Sequence, residues 1–443
     1  MKTDWFKTNY GVKQGDNLSP TLFSIYLNDL ATELKDMKLG TMLGDMHICI
    51  LLYADDIVLI SENEQNLQNM LDHVNAWCLK WQMKINPDKT KVVHFRNPRT
   101  PRTNFNFKIG QSPIQISNTY RYLGIILDEF LNFNACVKTL GDAGGRALSS
   151  IISKFKQFKH IGYNTFSKLY ESGVLSILTY GASIWGHDND KYIQQVQNRA
   201  IRYFLGVHKT APIQALQADM GWLNIKYQFY LCTIRFWNRL HQMNSNRLTK
   251  KVAEYQLINI SDYNWIGKLY NILEKTNKTD FLLEDQKLNL YDVENQFYDI
   301  MQEEWSVNIC FKPKLRNYVK FKQDIFVEPY VTSNINRYQR SLLAKLRMGI
   351  LPLQIETGRY FRKPLEDRLC LLCDQNNIED EYHFLCQCPA FRSEREKILH
   401  TIPNFQSLAP NEVFIQLMKS DVKILSAFVE KCWHLRKSIE SIG

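Results

Sequence analysis

The chain of 443 residues contains no stretch apolar enough to cross a bilayer. Its longest aliphatic run is Ile48 to Leu52, and its start, Met1-Lys2-Thr3-Asp4-Trp5-Phe6-Lys7, lacks the apolar core of a secretory leader. These two absences predict a soluble, intracellular protein, nuclear or cytoplasmic, with no membrane partner. Internal repeats and low-complexity tracts are missing too, which excludes a solenoid or a disordered tail-like chain. A disulfide framework is also absent: six of the ten cysteines are scattered singly, as reduced buried thiols are, while Cys370, Cys373, Cys386 and Cys388 crowd into one short stretch. That crowding points to a metal site in a reducing compartment. Finally, acidic charge is in deficit, with 45 Asp and Glu against 55 Lys and Arg and a formal net charge of +10. Such a balance suits a polyanionic partner, because each cation near a phosphate releases condensed counterions. With 45% apolar residues the chain can bury a core and should divide into two to four domains.

The first stretch alternates helix and strand signals. Gly11 to Asn17 reads as a loop, and Ser19-Pro20 as a helix start with Ser19 capping and Pro20 at the first helical position, the helix running to about Leu34. Two apolar runs, Met46 to Tyr53 and Ile57 to Ile60, flank Ala54-Asp55-Asp56 and predict a hairpin with an acidic tip. Leu67, Met70, Leu71, Val74, Trp77, Cys78 and Trp81 recur at three- and four-residue intervals, predicting an amphipathic helix from Glu62 to Trp81. Lys91 to Arg96, Asn104 to Ile109 and Tyr120 to Leu127 read as strands. From about Leu131 the period is helical, over Val137 to Phe158, Tyr163 to Ile184, Tyr192 to Leu205 and Tyr227 to Met243. A basic helix, Ile335 to Met348, precedes the cysteine cluster, and a last helix with Ser420 as its N-cap runs to about Ile439.

Two adjacent carboxylates at the tip of an apolar hairpin repel one another unless a cation or donor sits between them. A divalent metal would satisfy Asp55 and Asp56; an ordinary solvated turn, for which Asp is favoured anyway, is the competing explanation. The hairpin has companions, however. Gly11-Val12-Lys13-Gln14-Gly15-Asp16-Asn17-Leu18-Ser19-Pro20, Leu52-Tyr53-Ala54-Asp55-Asp56-Ile57, Lys84-Ile85-Asn86-Pro87-Asp88-Lys89-Thr90 and Tyr120-Arg121-Tyr122-Leu123-Gly124-Ile125 resemble, in order and spacing, four successive motifs of the reverse transcriptases of non-LTR (LINE-type) retrotransposons.

The resemblance implies an RNA-directed DNA polymerase that extends a DNA primer on an RNA template with deoxynucleoside triphosphates and two Mg²⁺ ions. Asp55 and Asp56 would be metal ligands and catalytic, with Lys89 as general acid for the leaving pyrophosphate. Gln14, Gly15 and Tyr53 would contact template and nucleotide, and Tyr122, Leu123 and Gly124 would form the primer grip. From the residues alone, Lys89 is equally readable as a solvated surface lysine and Tyr122 as a buried tyrosine in a sheet. The family takes a further metal-binding Asp from a strand before the Gly-Val-Lys-Gln-Gly loop, and Asp4 does not match it in spacing or flanks. The expectation is therefore a chain lacking the fingers and first palm motif, inactive as a polymerase by itself. A non-catalytic nucleic-acid-binding remnant, or a decayed relic without a role, are the rival expectations.

Cys370-x₂-Cys373 and His383-x₄-Cys388 offer four soft or borderline ligands for Zn²⁺, with Cys386 a spare thiol and a chance cluster of buried thiols the alternative. The run from Glu381 to Pro389 resembles the knuckle near the C-terminus of the same retrotransposon family. The cations before it, Arg337, Arg340, Lys345, Arg347, Arg359, Arg362 and Lys363, could contact RNA or form a solvated basic face, while Lys154, Lys156, Lys159 and His160 in the helical region could track a duplex backbone or form a solvated helix face. Together these readings predict an α+β fold with a partial polymerase palm, an antiparallel sheet with helices, over residues 1–130. A helical thumb-like region (131–247), a helical linker (248–334), a basic helix with a CCHC zinc knuckle (335–400) and a helical tail (401–443) follow.

Overall fold

The structure, a computed structural model, describes residues 11–13, 15–158, 161–187 and 191–440. Gln14, Lys159 and His160 lie outside the described residues. The chain divides into two compact units: residues 1–136 with 244–261, and residues 137–243 with 262–443.

In the first unit, α1 (Ser19–Tyr26) and α2 (Asn28–Asp36) replace the single helix expected from Pro20 to Leu34. Ser19 is not the cap. Its hydroxyl donates to the Lys13 carbonyl at 2.7 Å, while the Asp16 carboxylate accepts from the Leu18 amide at 2.8 Å and shapes the entry. Leu27 at the break, with Leu30 and Leu34, packs against Cys49, Ile50 and the buried face of α3 (Glu64–Lys80), namely Met70, Val74, Trp77 and Cys78. Asn63 caps α3 by accepting from the Asn66 amide at 2.9 Å. A second cluster joins Leu71 to Val92, Phe107, Ile109 and Ile114, so neighbouring residues of one helix seed two cores.

The expected antiparallel palm sheet is instead, among the described residues, five separate two-stranded ladders. The strands are β1 (Thr41–Leu43), β2 (Met46–Ile48), β3 (Ile50–Tyr53), β4 (Asp56–Leu59), β5 (Lys91–Val92), β6 (Lys108–Ile109), β7 (Ser112–Pro113), β8 (Gln115–Ile116), β9 (Thr119–Tyr122) and β10 (Ile125–Asp128). Four ladders, β1–β2, β3–β4, β6–β7 and β9–β10, are antiparallel; β5–β8 is parallel, with Lys91 opposite Gln115. The strands are too short to merge, and side chains satisfy an exposed edge. The Gln68 amide of α3 both donates to the Lys108 carbonyl and accepts from the Lys108 amide, each at 2.9 Å, acting as a strand partner for β6. Tyr120 to Leu127 is a hairpin rather than one strand, because Leu123 (φ 47°) and Gly124 (φ 85°) both take the left-handed conformation that a two-residue turn needs. The helix Leu248–Ile258 belongs to this first unit. A Cβ on Gly44 would stand 2.8 Å from its Tyr255 ring, which accounts for glycine there beyond its φ of 61°.

The second unit is helical, as the periodicity predicts. Its helices include Tyr163–Tyr170, Lys191–Leu205, Ile225–His241, Leu290–Cys310, Arg337–Arg347 and Val422–Glu440; the expected Tyr163 to Ile184 helix breaks after Leu178, and Gly181 at φ 65° precedes a separate short helix, Ala182–Trp185. Phe229 and Trp237 are buried core, and Trp222 stacks on Tyr170 at 4.5 Å. The last helix is capped by Asp421, which accepts from the Lys423 and Ile424 amides, not by Ser420, whose hydroxyl donates to the Leu417 carbonyl. At the centre of this unit lies a buried charge network. Asp219 accepts from the Tyr318 and Tyr330 hydroxyls, both at 2.7 Å, and from Arg347, whose guanidinium also pairs with Glu328 at 2.8 Å. Arg347, expected on a nucleic-acid face, is thus a core residue, its charge consumed by two carboxylates. No helix of the described residues is long and apolar enough to cross a membrane.

Candidate active site and metal centre

The β3–β4 hairpin closes with Tyr53 opposite Asp56, and Ala54 turns the chain at φ 50°. A left-handed alanine costs free energy relative to glycine. The hairpin tolerates that cost and in doing so throws two neighbouring carboxylates outward. Asp55 and Asp56 are both exposed, and neither carboxylate has a hydrogen-bond partner among the described residues. No third carboxylate, His or Cys clusters with them among the described residues.

Tyr122, at the end of β9, lies within electrostatic reach of this tip. Burial pushes its phenol up, and the nearby charges of Asp56 and Tyr53 add to the shift. Tyr53 and Asp56 thus both act electrostatically on Tyr122. Lys89 is exposed on a turn built by Asn86, whose side-chain oxygen accepts from the Asp88 and Lys89 amides at 3.1 and 3.3 Å. The Tyr120 hydroxyl donates to the Lys89 carbonyl at 3.3 Å and ties that turn to β9. Gly15 has φ 85°, and a Cβ there would meet nothing within 4 Å, so its glycine is required by backbone conformation with open space above it.

In the second unit the ligand atoms of Cys370, Cys373, His383 and Cys388 all lie within 4.8 Å of one another. Cys370 Sγ is 3.9 Å from Cys388 Sγ, and Cys373 Sγ is 3.5 Å from His383 Nε2. The contact between these two thiols, which either could donate, pushes Cys370 up and Cys388 down. Cys386 stands outside the cluster, whereas Cys388 lies within it. Such a set of three sulfurs and one imidazole can hold a metal ion.

Its framework was less legible than its ligands. His383 opens a π-helical turn, His383–Gln387, and its amide donates to Asp380 at 2.8 Å; the Cys388 amide closes on the His383 carbonyl, also at 2.8 Å. Buried Arg395 donates to the Cys388, Gln387 and Leu385 carbonyls, gathering the end of that turn. Glu379 is held by Arg436 through two bonds of 2.7 and 2.8 Å, and Glu381 by Arg316 and Asn317. Asp380, three residues before His383, carries a recognisable capping spacing; Arg395 and Arg436 carry no sequence signal. Arg340 is buried, whereas Arg337, Arg359, Arg362 and Lys363 are exposed.

Residues 1–127 match the family model described as reverse transcriptase (RNA-dependent DNA polymerase). The relatives are polymerases of mobile elements, as the four motifs implied. The chain is 28% identical over 248 residues to a probable RNA-directed DNA polymerase from transposon BS of Drosophila melanogaster, covering 53% of this chain and 26% of that one. It is 23% identical over 261 residues to the RNA-directed DNA polymerase from mobile element jockey of the same species, covering 56% and 27%. Over 122 residues it is 34% identical to a retrovirus-related Pol polyprotein from a type-1 retrotransposable element R2 of Popillia japonica, covering 26% and 20%. The chain thus spans about a quarter of the length of the curated relatives it matches. Its likeness is to non-LTR retrotransposon reverse transcriptases.

Proposed function

We propose that this chain forms the later palm and the C-terminal region of an RNA-directed DNA polymerase of a non-LTR retrotransposon. One observation carries the reading: a hairpin with a left-handed Ala54 presents two unpaired carboxylates beside Tyr122. Asp55 and Asp56 would hold Mg²⁺, which would supply activation of the primer hydroxyl and charge stabilisation of the leaving pyrophosphate. The exposed Tyr53 and the open backbone at Gly15 contact the template and incoming nucleotide, a role the motif also assigns to Gln14. The Tyr122-Leu123-Gly124 turn holds the primer end, and Lys89 supplies a proton to pyrophosphate. The partners are an RNA template, a DNA primer and deoxynucleoside triphosphates.

Cys370, Cys373, His383 and Cys388 hold Zn²⁺. A tetrahedron with zinc–sulfur arms of about 2.3 Å sets sulfurs about 3.8 Å apart, and the Cys370–Cys388 separation of 3.9 Å supports that fit. Buried His383 Nδ1 has no partner, leaving Nε2 as the ligand atom that faces the sulfurs. Zinc content of one ion per chain, lost on Cys373→Ser and retained on Cys386→Ser, tests the assignment.

Primer extension on polyriboadenylate with oligothymidylate, Mg²⁺ and thymidine triphosphate tests the catalytic reading. Extension by the purified chain that disappears on Asp55→Ala supports it. The absence of a third clustered carboxylate among the described residues favours a second reading, a non-catalytic binder of nucleic acid. Salt-dependent binding of the same template and primer without extension would favour that reading over catalysis by this chain.

A further inference from the structure

At the start of the helix Arg337–Arg347, two arginines stand among aromatic rings with no acid among the described residues to balance them. Arg340 is 2% exposed; its guanidinium lies 4.0 Å over the Phe204 ring, Nη1 donates to the Ile161 carbonyl at 3.4 Å, and Nε has no partner. Arg337, at the surface, lies 4.4 Å over the Tyr203 ring and donates to the Tyr203 carbonyl at 3.2 Å. No carboxylate pairs with either among the described residues. The other buried arginines of this unit are better partnered, Arg395 through the Leu385, Gln387 and Cys388 carbonyls. Arg347 and Arg436 each meet carboxylates, whereas burial pulls the Arg340 guanidinium down to about 10 with Arg337 adding to the fall. Buried charge is retained when it is paired, and here no partner carboxylate is present among the described residues.

Phe155, Phe158 and Ile161 face these arginines across a cavity of about 20 Å³. That volume admits one oxygen-sized atom and no more. Phe158 is 63% exposed at its rim, and Lys154 and Lys156 are exposed on the same segment.

We propose that this pocket seats one phosphodiester of a single-stranded nucleic acid. A non-bridging oxygen enters the cavity and accepts from Arg340 Nε, Arg337 shares the charge, and the open face of Phe158 stacks an adjoining base. Free phosphate would use the arginines but not the ring. The exposed aromatic beside two uncompensated cations is what selects a nucleotide strand. The inference rests on the nucleic-acid reading above and names a seat within it.

The test is binding of a fluorescent oligothymidylate to the full chain by anisotropy at several salt concentrations. Arg337→Gln and Phe158→Ala should each weaken binding about three- to tenfold, and Arg337→Gln should flatten the slope of log affinity against log salt by about 0.7. Arg340→Met, which keeps the apolar stem, should act like Arg337→Gln. A methylphosphonate oligomer, neutral along its backbone, should not distinguish Arg337→Gln from the parent. If the parent binds and all three variants, at unchanged melting temperature, bind equally well, the cavity holds only water and the inference fails. Displacement of the oligomer from the parent, but not from Arg337→Gln, by millimolar inorganic phosphate supports the seat. Phosphate that protects the parent against heat while the variants bind oligomer normally makes this an anion site only and overturns it. A parent that binds no oligomer at all overturns the nucleic-acid reading itself.

Discussion

The hairpin tip and the cysteine cluster are both arrangements of metal-binding groups, yet they are built in opposite ways. Asp55 and Asp56 are neighbours on one turn, exposed, with no side chain holding either carboxylate among the described residues. The four cluster residues come from two segments, three of them are buried, and a surrounding set of bonds from Asp380, Arg395, Arg316 and Arg436 fixes the loops that carry them. Water screens the repulsion of two exposed carboxylates, so the hairpin forms without an ion. Buried sulfur and imidazole must instead be brought together by the fold, and an ion then becomes part of the folding free energy. A site that belongs to the fold is a different object from one presented to a visitor.

The largest expected effect therefore falls on the cluster. Chelation of metal, or Cys388→Ser, should open the Cys370 to Cys388 segment to proteolysis, since structural zinc in small modules contributes on the order of 10 kcal/mol of binding free energy. Unchanged resistance would make the cluster a set of ordinary buried thiols. Next, Arg436→Ala leaves the Glu379 carboxylate buried and unpaired, and should cost about 3–5 kcal/mol in chemical denaturation. A loss under about 1 kcal/mol would mean that the pair contributes little to holding the module.

A pH effect should appear in the hairpin's own unit. Hydrogen bonds from Arg102, then the charges of Arg102 and Arg96, hold the Glu129 carboxyl below its usual range. Because the folded value is the lower one, its contribution is complete above about pH 5 and drains away as pH falls through the folded value. Glu129→Gln should flatten that acid limb of a melting-temperature profile; an unchanged limb would place the acid sensitivity elsewhere. The smallest effect is expected at the tip, where Asp55→Asn should shift stability by less than about 1 kcal/mol while abolishing any primer extension. A large stability change there would show that the tip is part of the fold after all, and would erase the contrast with the cluster.

What the sequence disclosed follows the same division. Groups that are near in sequence were readable: the acidic tip, the Cys-x₂-Cys pair, the Asn-Pro-Asp turn and the face of α3 that buries Met70, Val74 and Trp77. Periodicity found the long helices because 3.6-residue spacing is a local property. Groups that meet across the chain were not readable. Arg436 reaches Glu379 and Arg347 reaches Asp219 across dozens of residues, so a basic helix that looks like a polyanion surface is half core. The sheet was over-read for a related reason. Short β-branched runs look like strands, but Gln68 from α3 occupies an edge that another strand would have used.

The placement of the helix Leu248–Ile258 bears on how the molecule is made. The first unit is finished by residues 244–261, which follow more than a hundred residues of the other unit in the chain. On a ribosome adding about 5–20 residues per second, the hairpin's unit waits on the order of ten seconds for its final helix after its own strands have emerged. The two units cannot be completed in simple succession. Cutting the chain after residue 130 or after residue 243 would strand the turn at Gly44 without Tyr255, so any attempt to express the first unit should carry the sequence through Ser261.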